Sequence, residues 1–327
     1  MKRTLASHVF AAILLAGVTA PAAAYHLARE LPLPGAEGWD YLTIDAARSR
    51  LFITHGTHVE VLDTTTLARV GTIADTAGVH GVAIADALGH GYVSAGAASK
   101  IVVFDLLSLT RLVAISTTGD NPDAILFDPA TQRVFAFNGR GRNVTAVDTA
   151  KNTVVGTIAL DAKPEFAVHD GAGRVFVNLE DRNSLAAINA RTLGVEATWP
   201  LAGCEEPTGL AIDRAHHRLF AACSNKVMAI IDSTTGRGIA QVLIGGKVDG
   251  AAFDAQKQLA FASGGDGTLT VVHEETPDKF AVVETVPTKV GARTLTLDER
   301  THRIFLSTAQ RNPTVVPGTF EVLVVEP

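Results

Sequence analysis

Seven residues recur at intervals of about 42 positions, each opening a short apolar run: Asp40, His80, Asp123, Glu165, Thr208, Asp249 and Arg293. Six of the seven are ionisable, at a place where a core strand would carry an apolar side chain. The four carboxylates could together attract a cation, and Arg293 could pair with an anionic group. A second constellation is His55, His58 and His80, since neutral imidazoles joined by a carboxylate such as Asp40 or Asp123 suit zinc or copper. The His55-x-x-His58 spacing sits beside an alternating run, so no helix fixes its geometry. Cys204 and Cys223 are the only two cysteines. Without a C-x-x-C they read as one disulfide in an exported chain, two free buried thiols being the alternative. No G-x-S-x-G, H-E-x-x-H or phosphate loop is present, and Gly264-Gly265-Asp266-Gly267 reads as a tight turn.

The elements that must position these residues follow from periodicity. Lys2 and Arg3, the apolar segment Val9 to Val18 and Ala22-Ala23-Ala24 have the form of a secretory leader, so residues 1–24 are expected to be removed and 25–327 to form one domain. Periplasmic or secreted localisation follows, and no later segment is long enough to span a membrane. The formal net charge of −6 becomes −8 once Lys2 and Arg3 leave, which argues against general affinity for nucleic acid. Arg140, Arg142 and Arg182 are where such binding would have to map, with a steep dependence on salt.

Three marks repeat in step. A basic or polar residue precedes an apolar run at Arg50, His90, Arg133, Arg174, Arg218, Gln258 and Arg303. Another run ends in an acid, amide or imidazole at Asp63, Asp105, Asp148, Asn189, Asp232 and His273, and a third closes on Asp45, Asp128, Asp170, Asp213, Asp254 and Asp298. Four short β-type runs per unit, repeated seven times without helical periodicity, define an all-β, seven-bladed propeller of four-stranded blades. The seventh unit lacks a fourth run, and His26–Leu33 supplies it, so the N-terminal strand is expected to close the last blade.

Trp39-Asp40 opens an innermost strand, whereas WD40 repeats carry that pair near the end of the third. The second-strand segments LFITH, GYVSA, VFAFN, VFVNL, LFAAC, LAFAS and IFLST, with closings such as VEVLDTTT and AIIDSTTG, instead resemble the YVTN repeat of exported YncE-like propellers. The resemblance covers residues 25–327 and implies a scaffold that binds a small molecule, ion or protein partner on its loop face, in a chain expected to be a monomer. Ligand contacts are then expected at Asp40, His80, Asp123, Glu165, Asp249 and Arg293, around the mouth of the central channel. Seven-bladed lactonases and muconate cyclases imply an alternative by analogy: His80 as acid/base, Glu165 as its partner or a second base, and Arg293 as carboxylate clamp. His90, His216, His217 and His302 are expected as solvated turn residues on the opposite face, and His169 as buried and hydrogen-bonded.

Overall fold

A computed structural model describes residues 24–35 and 38–327, and the leader expected over residues 1–24 lies outside them apart from Ala24. The described chain forms seven four-stranded antiparallel sheets, each hydrogen-bonded in the order first, second, third, fourth strand from the axis outwards. In the first blade these strands are Trp39–Asp45, Arg50–His55, His58–Asp63 and Arg69–Ile73. Each first strand packs on the first strand of the next blade, and Thr294–Asp298 of the seventh returns to Trp39–Asp45. Among the described residues helix is confined to single 3-10 turns such as Glu180–Arg182, and no helix is long and apolar enough to cross a membrane.

Second and third strands are buried on both faces because blades stack face to face, which is why their sequences read as unbroken apolar runs. The packing unit is therefore the interface between blades. Phe52 of blade one meets Phe104 of blade two at 5.6 Å between centroids. Phe220 of blade five lies parallel to Phe253 of blade six at 5.1 Å and edge-on to Phe280 at 5.7 Å.

The Asp-Thr-Thr-Thr signature after the third strand is a side-chain-built turn. Asp63 Oδ1 accepts hydrogen bonds from the backbone N–H of Thr65 at 2.9 Å and Thr66 at 2.7 Å. Asp105, Asn189 and Asp232 repeat the arrangement in blades two, four and five.

The ring closes as the chain ends require. His26–Pro32 pairs antiparallel with Glu321–Glu326, from His26 opposite Glu326 to Pro32 opposite Glu321. Lys289 ties both strands, 2.7 Å from Glu30 Oε2 and 2.8 Å from Glu321 Oε1, while Tyr25 packs edge-on to Phe261 of blade six at 5.2 Å. Cys204, in the loop leading into blade five, is disulfide-bonded to Cys223 at the end of that blade's second strand, with Cα atoms 5.5 Å apart.

Candidate ligand site at the channel mouth

Register breaks place the polar ring. Pairing of first and second strands is interrupted between Trp39 and Leu42, Val79 and Val82, Pro122 and Ile125, Pro164 and Ala167, Pro207 and Leu210, and Val248 and Gly250. Asp40, His80, Asp123, Glu165, Thr208 and Asp249 each fall inside such a break, where a bulge re-aims the side chain. Arg293 sits one residue before its strand. Two positions ahead of five ring residues the backbone turns left-handed, at Gly78, Asn121, Glu206, Lys247 and Gly291. A side chain at Gly96 would meet the His80 ring at 2.7 Å, so glycine there leaves the imidazole its place.

The ring backbone is held from the neighbouring blade by the fifth residue of a second strand. Ser94 Oγ donates to Asp123 O at 2.6 Å, Asn178 Nδ2 to Thr208 O at 3.0 Å, and Ser263 Oγ to Arg293 O. Thr54 Oγ1 accepts from the Asp40 N–H at 3.1 Å and donates to Tyr41 O at 2.9 Å within its own blade. These small polar side chains satisfy the backbone groups that the bulges release.

Within the ring, His80 Nδ1 is hydrogen-bonded to Asp40 Oδ2 at 2.6 Å and lies 3.4 Å from Asp123 Oδ1. One ring N–H serves one acceptor, so Asp123 Oδ1 is left without a hydrogen bond. Lys163 Nζ stands 3.0 Å from Glu165 Oε2 and also pairs with Glu180, and Arg293 Nε stands 2.9 Å from Asp249 Oδ2. From the far side of the axis the Tyr41 hydroxyl of blade one reaches Glu165 Oε1 of blade four at 3.3 Å. Its ring packs edge-on to Phe166 at 4.9 Å. Tyr41 and Phe166 also line a cavity of about 410 Å³ along the axis, to which none of the ionisable ring residues contributes, so the two aromatics divide the mouth from the channel.

The crowded carboxylates share one field. Burial and the neighbouring Asp40 charge push Asp123 up to about 6, against His80 and Lys163, and push Asp249 up to about 7, against Arg293. Burial, then Asp123 and Asp249, hold Glu165 well above the usual carboxylate range. Burial alone would lower His80, but the Asp40 hydrogen bond and the Asp123 charge outweigh it and raise it.

These shifts fix a sign. Between the unfolded carboxyl value of 3.8 and about 7 the folded protein holds protons that the unfolded chain has lost, so stability falls as pH rises through that window. Raised His80 acts in the same direction: its contribution is present below 6.5 and is lost as pH rises through the folded value. Denaturant midpoints should therefore decline from about pH 5 to about pH 8, and Asp249→Asn should flatten the decline. A variant profile that parallels wild type would remove Asp249 from this account.

The three imidazoles expected as a metal site are not gathered into one group. His55 is buried, stacked on Phe320 at 4.1 Å and covered by Gly35, while His58 Nε2 lies 3.2 Å from Glu60 Oε1. The reason is local: the turn at Gly56 (φ 57°) makes His55 and His58 a cross-strand pair that packs against the last blade, whereas a bulge turns His80 to the axis. Among the described residues, donor atoms of three such side chains converge within 4.8 Å in two places, Asp40 with His80 and Asp123, and Asp213 with His216 and Glu274. His216 and His302 are thus half-buried and paired with acids rather than merely solvated, His302 Nδ1 bonding Asp254 Oδ2 at 2.6 Å. His169 is half-buried in the channel wall, and its Nδ1 makes no hydrogen bond. Thr208 has a structural role, its hydroxyl donating to Val248 O at 2.7 Å. Of the basic residues named for nucleic acid, Arg142 is paired with Asp181 and donates to Asp161 O.

Lys163, Glu180 and Tyr41 escaped the sequence reading because they lie outside the repeating position. The available signal was the second-to-third-strand turn of blade four, where Glu180-Asp181 replaces the Gly139-Arg140 of blade three.

No protein-family model and no curated protein sequence matches the chain. Among solved structures, hydrazine synthase of Kuenenia stuttgartiensis superposes with a TM-score of 0.74 at 16% identity, over 84% of this chain and 94% of that one. The WD40 repeats of RRP9 give 0.75 at 10% identity, over 90% and 97%, as does the U3-55K structure. At such identities the likeness shows the seven-bladed propeller fold and nothing finer.

Proposed function

We propose that the chain is an exported, YncE-like propeller, working as a monomer, that binds a small cationic ligand at the channel mouth and serves as a ligand-binding scaffold. The observation that carries this reading is the gathering of Asp40 and Asp123 around His80, of Glu165 and Glu180 around Lys163, and of Asp249 beside Arg293 at one mouth, with Asp123 and Glu165 buried. Carboxylates that must take up protons because they are buried together gain most from a cation. The disulfide and the leader-like N-terminus support export.

One feature favours a metal ion as that cation: Asp40, His80 and Asp123 aim an imidazole and two carboxylates at one point, a donor set suited to zinc or copper. In the lactonase or cyclase alternative, His80 is held through Nδ1 by Asp40, Glu165 by Lys163 and Tyr41, and Arg293 by Asp249.

Native mass spectrometry of untagged protein, purified without chelator, should show a bound species that Asp40→Asn combined with Asp123→Asn removes. A bare wild-type mass, together with no uptake of zinc, copper or spermidine in titration, would reject the reading.

A further inference from the structure

On the face opposite the mouth, the turn after the first strand of blade five meets the end of the third strand of blade six. Asp213, His216 and Glu274 converge there. Asp213 spends one oxygen on its own turn, where Oδ1 accepts from Ala215 N at 2.9 Å, and turns Oδ2 to the neighbouring blade. His216 Nδ1 stands 2.7 Å from that Oδ2 and 2.9 Å from Glu274 Oε1.

Neither approach is aligned as a hydrogen bond. Glu274, 3% exposed, keeps both carboxylate oxygens without a hydrogen-bond donor, and Asp213 Oδ2 is in the same condition. The contrast with the adjacent His302 is direct, since there Nδ1 makes an aligned 2.6 Å hydrogen bond to Asp254. Two buried carboxylates whose lone pairs face one imidazole nitrogen leave a deficit of positive charge that a single N–H cannot fill.

Position in the repeat points the same way. The residue following the third strand is Thr64, Leu106, Thr149, Ala190 and Ser233 in blades one to five, and at Thr149 the hydroxyl simply donates to Gln132 O at 2.7 Å. Blade six alone among these puts a long acid at this place, beneath a turn carrying His216-His217.

We propose that Asp213, His216 and Glu274 form a second cation site, separate from the mouth, which binds a divalent first-row metal ion of the zinc class and staples blade five to blade six. Bonds of about 2.0–2.2 Å to imidazole nitrogen and carboxylate oxygen place tetrahedral donors about 3.3–3.6 Å apart, so the ion requires the three groups to spread by about half an ångström from the 2.7 and 2.9 Å observed. His216, 38% exposed at its side chain, leaves the remaining coordination positions open to water. The bound ion replaces the missing donors of Glu274 and Asp213.

The test uses untagged full-length protein stripped with chelator and titrated with zinc by calorimetry, with metal analysis after dialysis and thermal unfolding with and without zinc. Wild type should hold zinc at this site and unfold at a higher temperature with it. Glu274→Ser, the residue blade five carries there, and His216→Asn should each weaken binding at least tenfold and abolish the zinc-dependent rise. Circular dichroism of the zinc-free variants checks that they are folded. Each measurement is repeated in an Asp123→Asn background, where the mouth lacks one of its donors, and the loss caused by Glu274→Ser or His216→Asn should be the same there. The site is overturned if wild type binds no zinc, if Glu274→Ser and His216→Asn bind it as wild type does, or if only Asp123→Asn loses it.

Discussion

Removal of residues 25–33 should cost the protein about 5 kcal/mol of stability and leave it prone to self-association. The estimate takes Tyr25, buried against Phe261, and the partly buried Leu27, Leu31 and Leu33, at roughly 1.5–3 kcal/mol for each fully buried large apolar side chain. Backbone pairing lost along Glu321–Glu326 adds a second effect. That strand carries Val322, Leu323, Val324 and Val325 in succession, and without its neighbour it presents an open edge for another chain. Denaturant unfolding and size-exclusion chromatography read the two effects separately. A peptide of residues 24–35 added in trans should restore the midpoint. A truncated chain that stays monomeric and unfolds with the wild-type midpoint would mean that the closing strand is ornamental.

Loss of the disulfide should be the next largest change. Cys204 and Cys223 are 19 residues apart, and a cross-link of that span stabilises by about 3 kcal/mol in the chain-entropy treatment. Cys204→Ala with Cys223→Ala should lower the unfolding free energy by that amount, and reduction of wild type should reproduce the shift. Both cysteines are joined in the bridge and the chain has no others, so alkylation should label no thiol in unreduced protein even after denaturation. The consequence is local as well as global, because the bridge anchors the loop that leads into Pro207–Asp213, the first strand of blade five. Equal midpoints for oxidised and reduced protein would remove the bridge from the account of stability.

Architecture was legible because repetition samples the same physical demand seven times. An apolar run closed by Asp-Thr-Thr-Thr means a buried strand followed by a side-chain-built turn, and Asp63, Asp105, Asn189 and Asp232 all form that turn. The missing fourth strand of blade seven was legible by counting, and the pairing of His26 with Glu326 is its physical form. Spacing also located Asp40, His80, Asp123, Glu165, Asp249 and Arg293 in one ring of positions. What spacing could not carry was direction. His55 and His58 share a face with His80 by topology, yet one stacks on Phe320, the next leans on Glu60, and a bulge turns the last to the axis. Lys163 and Glu180 were hidden for a different reason, since they occupy loops whose lengths vary between blades. Glu274 stood in plain view as a break in the Thr, Leu, Thr, Ala, Ser series, but its partner Asp213 belongs to another blade.

The hydroxyl of Tyr41 reaching Glu165 across the axis makes the ring a vessel with a floor rather than a tube. The axis is thereby divided into a charged mouth and an apolar channel. The mouth carries the ionisable ring; the channel is walled largely by Ile, Leu, Val and Phe, with Arg214 and Glu299 among its lining residues. The charge gathered at the mouth is kept from the apolar channel, so the two ends of the axis present unlike surfaces to solvent.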